Sequence, residues 1–427
     1  MMVSKQFRSF LRSPTFKTEV LAGITTFSTM VYIIFINPAI LHKAGMDAGA
    51  VFTATCLITA FACAFTGWYA KTPFGVAPGM ALNIYFTYNV VQGLKIDWQH
   101  ALGMVFISGL MFIGVTLTPL RRILTESIPY NLQIAILIGI SLLIALISLQ
   151  TNGLIVLDEH TLHLGNITEP QHLLFLLGFV IILVLDYYRI KGAILYGILS
   201  ITLLSLIFGY TKWNGVVGLP PSMEGTFLSL QFSGLWSVTG VKTIFTFFLI
   251  TVFDATGTII GLLNEPLLKQ CPNYSKRFKR SLITDATAST FAGLLGTAST
   301  SPYIESASGI AAGGKTGVTA IVVALGFLLM LFFFPLAETI PNFAIGPALL
   351  YVACSMMRQV KDLQLDTMTV AAPSMLTIML IPFTESIADG IGAGVVLYTL
   401  LKILTHKKVE PLLLILSGVF VIFFVIS

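Results

Sequence analysis

Two acidic residues stand where acids are expensive. Asp254 lies in the middle of FFLITVFDATGTIIGLL and Glu305 within SPYIESASGIAAGG, both in strongly apolar surroundings. A charged side chain at the centre of a membrane helix costs about 2.5 to 3.5 kcal/mol, so an acid there marks a ligand site, a proton carrier or a buried pairing. Their neighbours match: Asp254, Gly257, Thr258, Gly261 and Glu305, Ser308, Gly309, Ala312 each occupy i, i+3, i+4, i+7. On a helix that spacing places each carboxylate at the head of a stripe of small or hydroxylic residues. Such a stripe admits a ligand or another backbone, and it equally serves to pack two helices. Asn83, in APGMALNIYF, is a third polar group whose amide both donates and accepts, suited to a ligand contact or to a bond between helices. The remaining acids are read as structural. Glu19, Asp186 and Asp285 fall near expected span ends, where snorkelling or water relieves them, and Glu385 and Asp389 stand at a span start, placed to cap it.

The elements that must position these groups break the helical pattern. TPFGVAPGMALNIYF (72–86) and GTASTSPYIESASGIAAGG (296–314) each put Pro and small residues before a helix too short to cross a bilayer. Proline suits a first helical turn, where its missing N–H is not needed. Extended backbone at membrane depth is tolerated only where protein buries it or where it lines a cavity. Two half-helices at corresponding positions of inverted repeats point to a binding site near the midplane, with N–H groups at their starts open to a ligand. The alternative is a pair of merely kinked spans. Gly67-x5-Pro73-Phe74 and Gly296-x5-Pro302-Tyr303 share a G-x5-P-[FY] pattern, each between a full span and a short one.

The whole chain has the composition of a membrane protein: 56% of its 427 residues are hydrophobic and 10% charged, with a mean hydropathy of +0.90. A soluble domain has no use for that much apolar surface. Apolar runs fall near 20–42, 50–70, 78–92, 101–120, 130–149, 172–187 and 192–209, then near 241–262, 282–297, 303–313, 317–337, 343–358, 366–382 and 385–403. Each set has seven members, and an odd repeat must run through the membrane upside down relative to its partner. With a cytoplasmic N-terminus and a reversal at each segment, only Lys43, Lys95, Lys212 and Lys242 of the 24 Lys and Arg fall outside, as the positive-inside rule requires. The loop 150–171, without Lys or Arg, belongs outside and the basic loop 264–281 inside. Residues 411–426 form a further apolar run, a fifteenth span or an interfacial helix.

Several function classes drop out. Gly309–Thr316 satisfies the phosphate-loop pattern G-x-x-x-x-G-K-[ST], but that loop needs a preceding strand in a nucleotide-binding domain, and here a membrane half-helix precedes it. Cys56, Cys63, Cys271 and Cys354 form no CxxC pair and read as free thiols. The formal charge of +5 follows span flanks rather than a nucleic-acid surface, and the basic first residues read as a cytoplasmic tail, not a cleaved leader. No metal or cofactor is called for.

The strings FKTEVLAGITTFSTMVYIIFINPAIL (16–41), APGMALNIYF (77–86), FDATGTIIG (253–261) and YIESASGIAAGGKTGVTA (303–320) resemble the AzgA-type purine permeases of the nucleobase-ascorbate transporter superfamily over nearly the whole chain. That resemblance implies an all-α, 7+7 inverted-repeat fold of about fourteen segments. It implies a tail (1–19), a core domain in two parts (20–120 and 241–337), a gate domain in two parts (129–210 and 341–404), and an extra C-terminal helix (411–426). It implies uptake of adenine, guanine or hypoxanthine into the cell, with protons as the coupling ion and an elevator-like core movement. The family's functional residues fall on Asn83, Asp254 and Glu305, with the two acids as proton carriers. LLNEPLLKQCPN (262–273) departs from the Gly-containing helical continuation the family implies.

A flat, neutral purine with N–H donors and ring-nitrogen acceptors fits this set. Carboxylates and an amide read its edges, Thr258 and Ser308 add hydroxyls, and Phe74, Tyr303, Tyr85 or Phe253 stack on its face. Two rivals remain. An anion transporter of the same fold would use the half-helix N-termini for its substrate's charge, which two nearby acids would repel. An intramembrane hydrolase would use Asp254 and Glu305 as an acid pair, but no nucleophile or metal cluster accompanies them. A homodimer in the cell membrane is left open as the assembly.

Overall fold

The computed structural model describes residues 14–118, 129–158, 161–271, 273–406 and 408–426. Most of the expected N-terminal tail therefore lies outside the described residues.

The first segment is two helices, α1 (Pro14–Met30) and α2 (Ile33–His42), separated by a turn at Val31 and Tyr32. One continuous span was expected. Pro38, inside α2, removes an N–H and crowds the carbonyl of Ile34, and the turn just before it closes with short bonds from Ile34 N–H to Val31 O and from Phe35 N–H to Tyr32 O. Helix α3 (Ala48–Phe65) starts at Asp47, whose carboxylate accepts from Ala50 N–H, and runs into a π-helical turn, Thr66–Ala70, closed by Lys71 in the left-handed conformation (φ 57°). Strand β1 (Val76–Pro78) follows, then the half-helix α4 (Met80–Ile84), prolonged as π-helix over Tyr85–Gly93, then α5 (Trp98–Leu117). Next come α6 (Tyr130–Thr151), a hairpin of β2 (Ile155–Asp158) and β3 (Thr161–Leu164), α7 (Pro170–Tyr187) and α8 (Ala193–Ile207).

The second half opens with α9 (Val238–Leu263), capped by Ser237, and a single turn, α10 (Pro266–Lys269), over the divergent 262–273 string. Helix α11 (Tyr274–Leu295) starts about two turns before the expected span, so Lys276, Arg277, Lys279 and Arg280 lie on helix rather than in a loop. It ends at left-handed Gly296 (φ 84°), followed by β4 (Thr300–Pro302), the half-helix α12 (Ser306–Ala311) and α13 (Gly317–Met330), capped by Thr316. Then follow α14 (Phe334–Thr339), α15 (Asn342–Met357), α16 (Met368–Thr384), α17 (Ile387–Leu404) and α18 (Pro411–Ile426). Ser386, not Glu385 or Asp389, caps α17; Asp389 pairs instead with Lys242 on α9 at 2.9 Å.

Among the described residues nine helices are long and apolar enough to cross a bilayer, and α8, α16 and α18 are shorter apolar helices, so the chain is a multi-pass, all-helical membrane protein. Packing falls into two groups. In one, α11 lies on α5, α13 on α1 and α3, α9 on α5, and α12 on α1; in the other, α16 lies on α6 and α17, α15 on α6 and α7, and α8 on α7 and α15. Contacts between groups run from α4 to α6, α2 to α15, α1 to α8, and α9 to α17 and α18. Within the first group Gly67 and Gly317 meet backbone to backbone: a Cβ on either would strike the other's carbonyl oxygen, so only glycine fits.

Candidate functional site

The two half-helices start from one shared ladder. β1 and β4 pair antiparallel with Val76 opposite Pro302, Ala77 opposite Ser301 and Pro78 opposite Thr300. Gly79 N–H donates to Ser299 O and Tyr303 N–H to Gly75 O, both at 2.9 Å, which extends the pairing past the prolines. Backbone that would be stranded in hydrocarbon is thereby satisfied within the protein. The Tyr303 hydroxyl donates to Pro78 O at 2.7 Å and Ser306 Oγ accepts from Gly75 N–H at 3.0 Å, so the start of α12 is also braced on β1 and the residue before it.

This register corrects the motif reading. The ladder is symmetric about the pair Ala77 and Ser301, so Pro302 corresponds to Pro78, not Pro73, and left-handed Lys71 matches left-handed Gly296 to within a residue. Phe74 is therefore not the counterpart of Tyr303. It is fully buried in the main apolar cluster.

Each acid sits at the start of a half-helix. Glu305 is the N-cap residue of α12. Asp254 reaches α4 from α9: a Cβ on Gly79, the N-cap of α4, would stand 3.7 Å from Asp254 Oδ2 and 3.3 Å from Ser301 Cβ. Asp254 and Ser301 thus meet at Gly79, which brings the acid of α9 to the junction of β4 and α4. A carboxylate at a helix N-terminus is stabilised by the dipole and by unpaired N–H groups. At α4 the N–H groups of Met80, Ala81 and Leu82 precede the first intrahelical bond, from Asn83 N–H to Gly79 O. At α12 the expected open N–H groups are absent, since Ser306, Ala307 and Ser308 donate to the carbonyls of Tyr303, Ile304 and Glu305.

Glu305 is held by a residue the sequence reading missed. The Tyr32 hydroxyl donates to Glu305 Oε1 at 2.5 Å, and the Tyr32 and Tyr303 rings lie 6.5 Å apart. Tyr32 keeps helical dihedrals (φ −55°, ψ −21°) at the junction of α1 and α2, so nothing local in the string set it apart from its neighbours. The two matched stripes also part company. Ser308 bonds Thr29 Oγ1 at 3.1 Å and Glu305 O at 2.7 Å, and a Cβ on Gly309 would strike Thr26 and the Ala22 carbonyl, so the stripe behind Glu305 packs on α1. Behind Asp254 nothing approaches Gly257 within 4 Å, and only an Ile304 methyl at 3.8 Å comes near Gly261, leaving that face, with half-buried Thr258, open.

Asn83 is 0% exposed, one turn into α4, and neither its Oδ1 nor its Nδ2 has a hydrogen-bond partner in the protein. Tyr85, beyond it, packs edge-on against Phe247 at 4.7 Å. Two acids expected at wetted span ends are interior. Asp285 is 0% exposed within α11 and accepts from Thr300 Oγ1 at 3.1 Å, bracing β4 from behind. Glu19, 1% exposed, accepts from the N–H groups of Lys315 and Thr316 and from Thr319 Oγ1, pinning α1 to the start of α13. Asp186 keeps its expected place at a helix end, paired with Arg358 at 3.2 Å.

The Permease family (Xan_ur_permease) matches residues 17–393. The chain is 37% identical over 424 residues to the adenine permease AdeP of Escherichia coli, covering 99% of this chain and 95% of that one. It is 37% identical to the guanine/hypoxanthine permease PbuO of Bacillus subtilis, covering 95% and 96%. Its fold is similar to the transmembrane domain of a cyanobacterial bicarbonate transporter, BicA, with a TM-score of 0.68 at 16% identity, over 88% of this chain and 98% of that one. With a family match over residues 17–393 and permease relatives covered nearly end to end, the chain is a transporter rather than an enzyme and belongs to the permease family.

Proposed function

We propose that this permease imports purine nucleobases into the cell as a proton-coupled secondary transporter, with the ladder and its half-helices as the binding site. The observation that carries the reading is the placement of Asp254 and Glu305 at the starts of two half-helices joined by one ladder. Relatives at 37% identity named for adenine and for guanine/hypoxanthine give the substrate class. A neutral purine presents N–H donors to the carboxylates, and the unpaired Asn83 amide supplies both a donor and an acceptor for an edge. Tyr303 offers an aromatic edge, and Thr258 lines the open face of α9.

A bare carboxylate is costly to carry through hydrocarbon, so a proton travelling on Asp254 or Glu305 lets the loaded site move uncharged. The two packing groups supply the moving parts: 20–120 with 241–337 as the core and 129–210 with 341–404 as the gate, sliding in an elevator-like step. An anion substrate fits this site poorly, because Asp254 and Glu305 stand at the two half-helix starts and would repel it, and α12 has no open N–H to hold it.

The test is uptake of radiolabelled hypoxanthine by a permease-null cell expressing the chain, competed by adenine, guanine, xanthine and uracil. Competition by adenine or guanine but not uracil is expected. Equal competition by uracil, or no uptake of any purine, overturns the reading.

A further inference from the structure

A cluster of cations that the transport site does not use lies where α3 hands over to β1 and α11 begins. Lys71, Lys276, Arg277 and Arg280 line an open pocket of about 310 Å³ together with Asn273, and no acidic residue is among its lining. Arg277 precedes Asp285 by eight residues, about 12 Å of helix rise, so the pocket is separate from the half-helix site.

The charges are of the wrong sign for the helix that carries them. Lys276, Arg277, Lys279 and Arg280 fall in the first two turns of α11, at the positive end of its dipole, where acids are the stabilising choice. Among the described residues none of the four pocket cations makes an ion pair. Their bonds go to carbonyls: Arg277 Nη2 donates to Lys315 O at 2.9 Å and Arg280 Nη1 to Tyr69 O at 3.3 Å, with the Arg280 guanidinium 5.2 Å from the Tyr69 ring centre. Arg277 Nη1 is buried with no hydrogen-bond partner.

An anion with several oxygens suits this wall: it engages the exposed parts of the four side chains, cancels repulsion among the cations and answers the dipole of α11. The aromatic surroundings indicate its source. Trp68 is 71% and Tyr274 40% exposed beside the pocket, on Tyr69 and Phe278 respectively, and exposed Trp and Tyr mark the depth of lipid headgroups. We infer that this pocket binds a phosphate-bearing anion, the headgroup of an anionic membrane lipid. Its walls come from the end of α3 and the start of α11, and Arg277 reaches the loop behind α12. The bound headgroup therefore holds together the rim of the body that carries Asp254 and Glu305.

The test uses the full chain purified in detergent and stripped of lipid. Native mass spectrometry counts adducts of phosphatidylglycerol and of phosphatidylcholine with the same acyl chains, on wild type and on the double variant Lys276→Gln with Arg280→Gln. Millimolar inorganic phosphate is the second arm, read as thermal stabilisation. We expect phosphatidylglycerol to be retained about tenfold over phosphatidylcholine by wild type, and that preference to vanish in the variant. Stabilisation by inorganic phosphate that is lost in the variant supports the pocket with a soluble phosphate as its occupant. Equal retention of the two lipids by wild type, or unchanged phosphatidylglycerol retention in the variant, overturns the lipid assignment. No phosphate effect in addition overturns the site. If the double variant does not accumulate, Lys276→Gln alone, at an exposed position, carries the same comparison with an expected loss of about threefold.

Discussion

The Tyr32 hydroxyl donates to Oε1 of Glu305, joining the break in the first membrane segment to the cap of the second half-helix, 273 residues further along the chain. The bond fixes which oxygen of Glu305 remains for another partner. Tyr32→Phe keeps the ring and removes the donor, so purine affinity should fall about tenfold, the value of one hydrogen bond to a charged group. Tyr32 acts through Glu305, so the same change in a Glu305→Gln background should cost far less. Equilibrium binding to the four proteins of that cycle measures the coupling, and additive losses would mean that Tyr32 serves packing alone.

Glu305→Gln retains an acceptor but replaces a charge-assisted bond with a neutral one and turns an amide donor toward the ligand's own donors. Binding should weaken by roughly 1.5 to 3 kcal/mol, about ten- to a hundredfold, and Glu305→Ala should be worse. Unchanged affinity in both would leave Glu305 as a cap and nothing more.

Asp254→Asn preserves shape and removes a proton carrier. Accumulation against a gradient should collapse while purine still exchanges across the membrane and the protein still reaches it. Uphill uptake that still follows an imposed pH difference would assign coupling elsewhere.

Glu19→Gln weakens the bonds that pin α1 to the Lys315 and Thr316 N–H groups. A loss of about 1 to 3 kcal/mol is expected for a buried, charge-assisted cap. It should appear as a lowered melting temperature in detergent with purine affinity little changed. A melting temperature equal to wild type would show that water replaces the carboxylate at no cost.

Reporters inserted in 150–171 and in 264–273 should fall on opposite sides of the membrane, outside and inside respectively, because basic residues resist translocation. Both on one side would contradict the inverted repeat.

Legibility followed the physics of each feature. Span positions were readable because apolar length is a constraint along the chain itself, and helices occur at all the expected stretches. Asp254 and Glu305 stood out because an acid in an apolar run has few benign explanations. What was not readable depended on partners distant in sequence. Asp285 looked like a span-end acid because α11 begins before its apolar stretch, on a basic, amphipathic lead that hydropathy does not register. The choice between Pro73 and Pro78 as partner of Pro302 turned on strand register, which two similar short strings do not determine. The division of labour between the matched stripes came from what lies opposite each: α1 for Gly309, open space for Gly257.

Because β1 and β4 hold each other's backbone, and Tyr303 and Ser306 grip β1 and the residue before it, the half-helices cannot part like jaws without exposing amides to hydrocarbon. In the elevator step proposed above, the fulcrum then lies outside them, at contacts such as Lys242 with Asp389 and the rings of Phe245 and Phe420, which tie α9 to α17 and α18 through side chains alone. On that proposal the cradle stays stiff while its bearings move, and the shape that recognises a substrate is the same whichever side of the membrane it opens to.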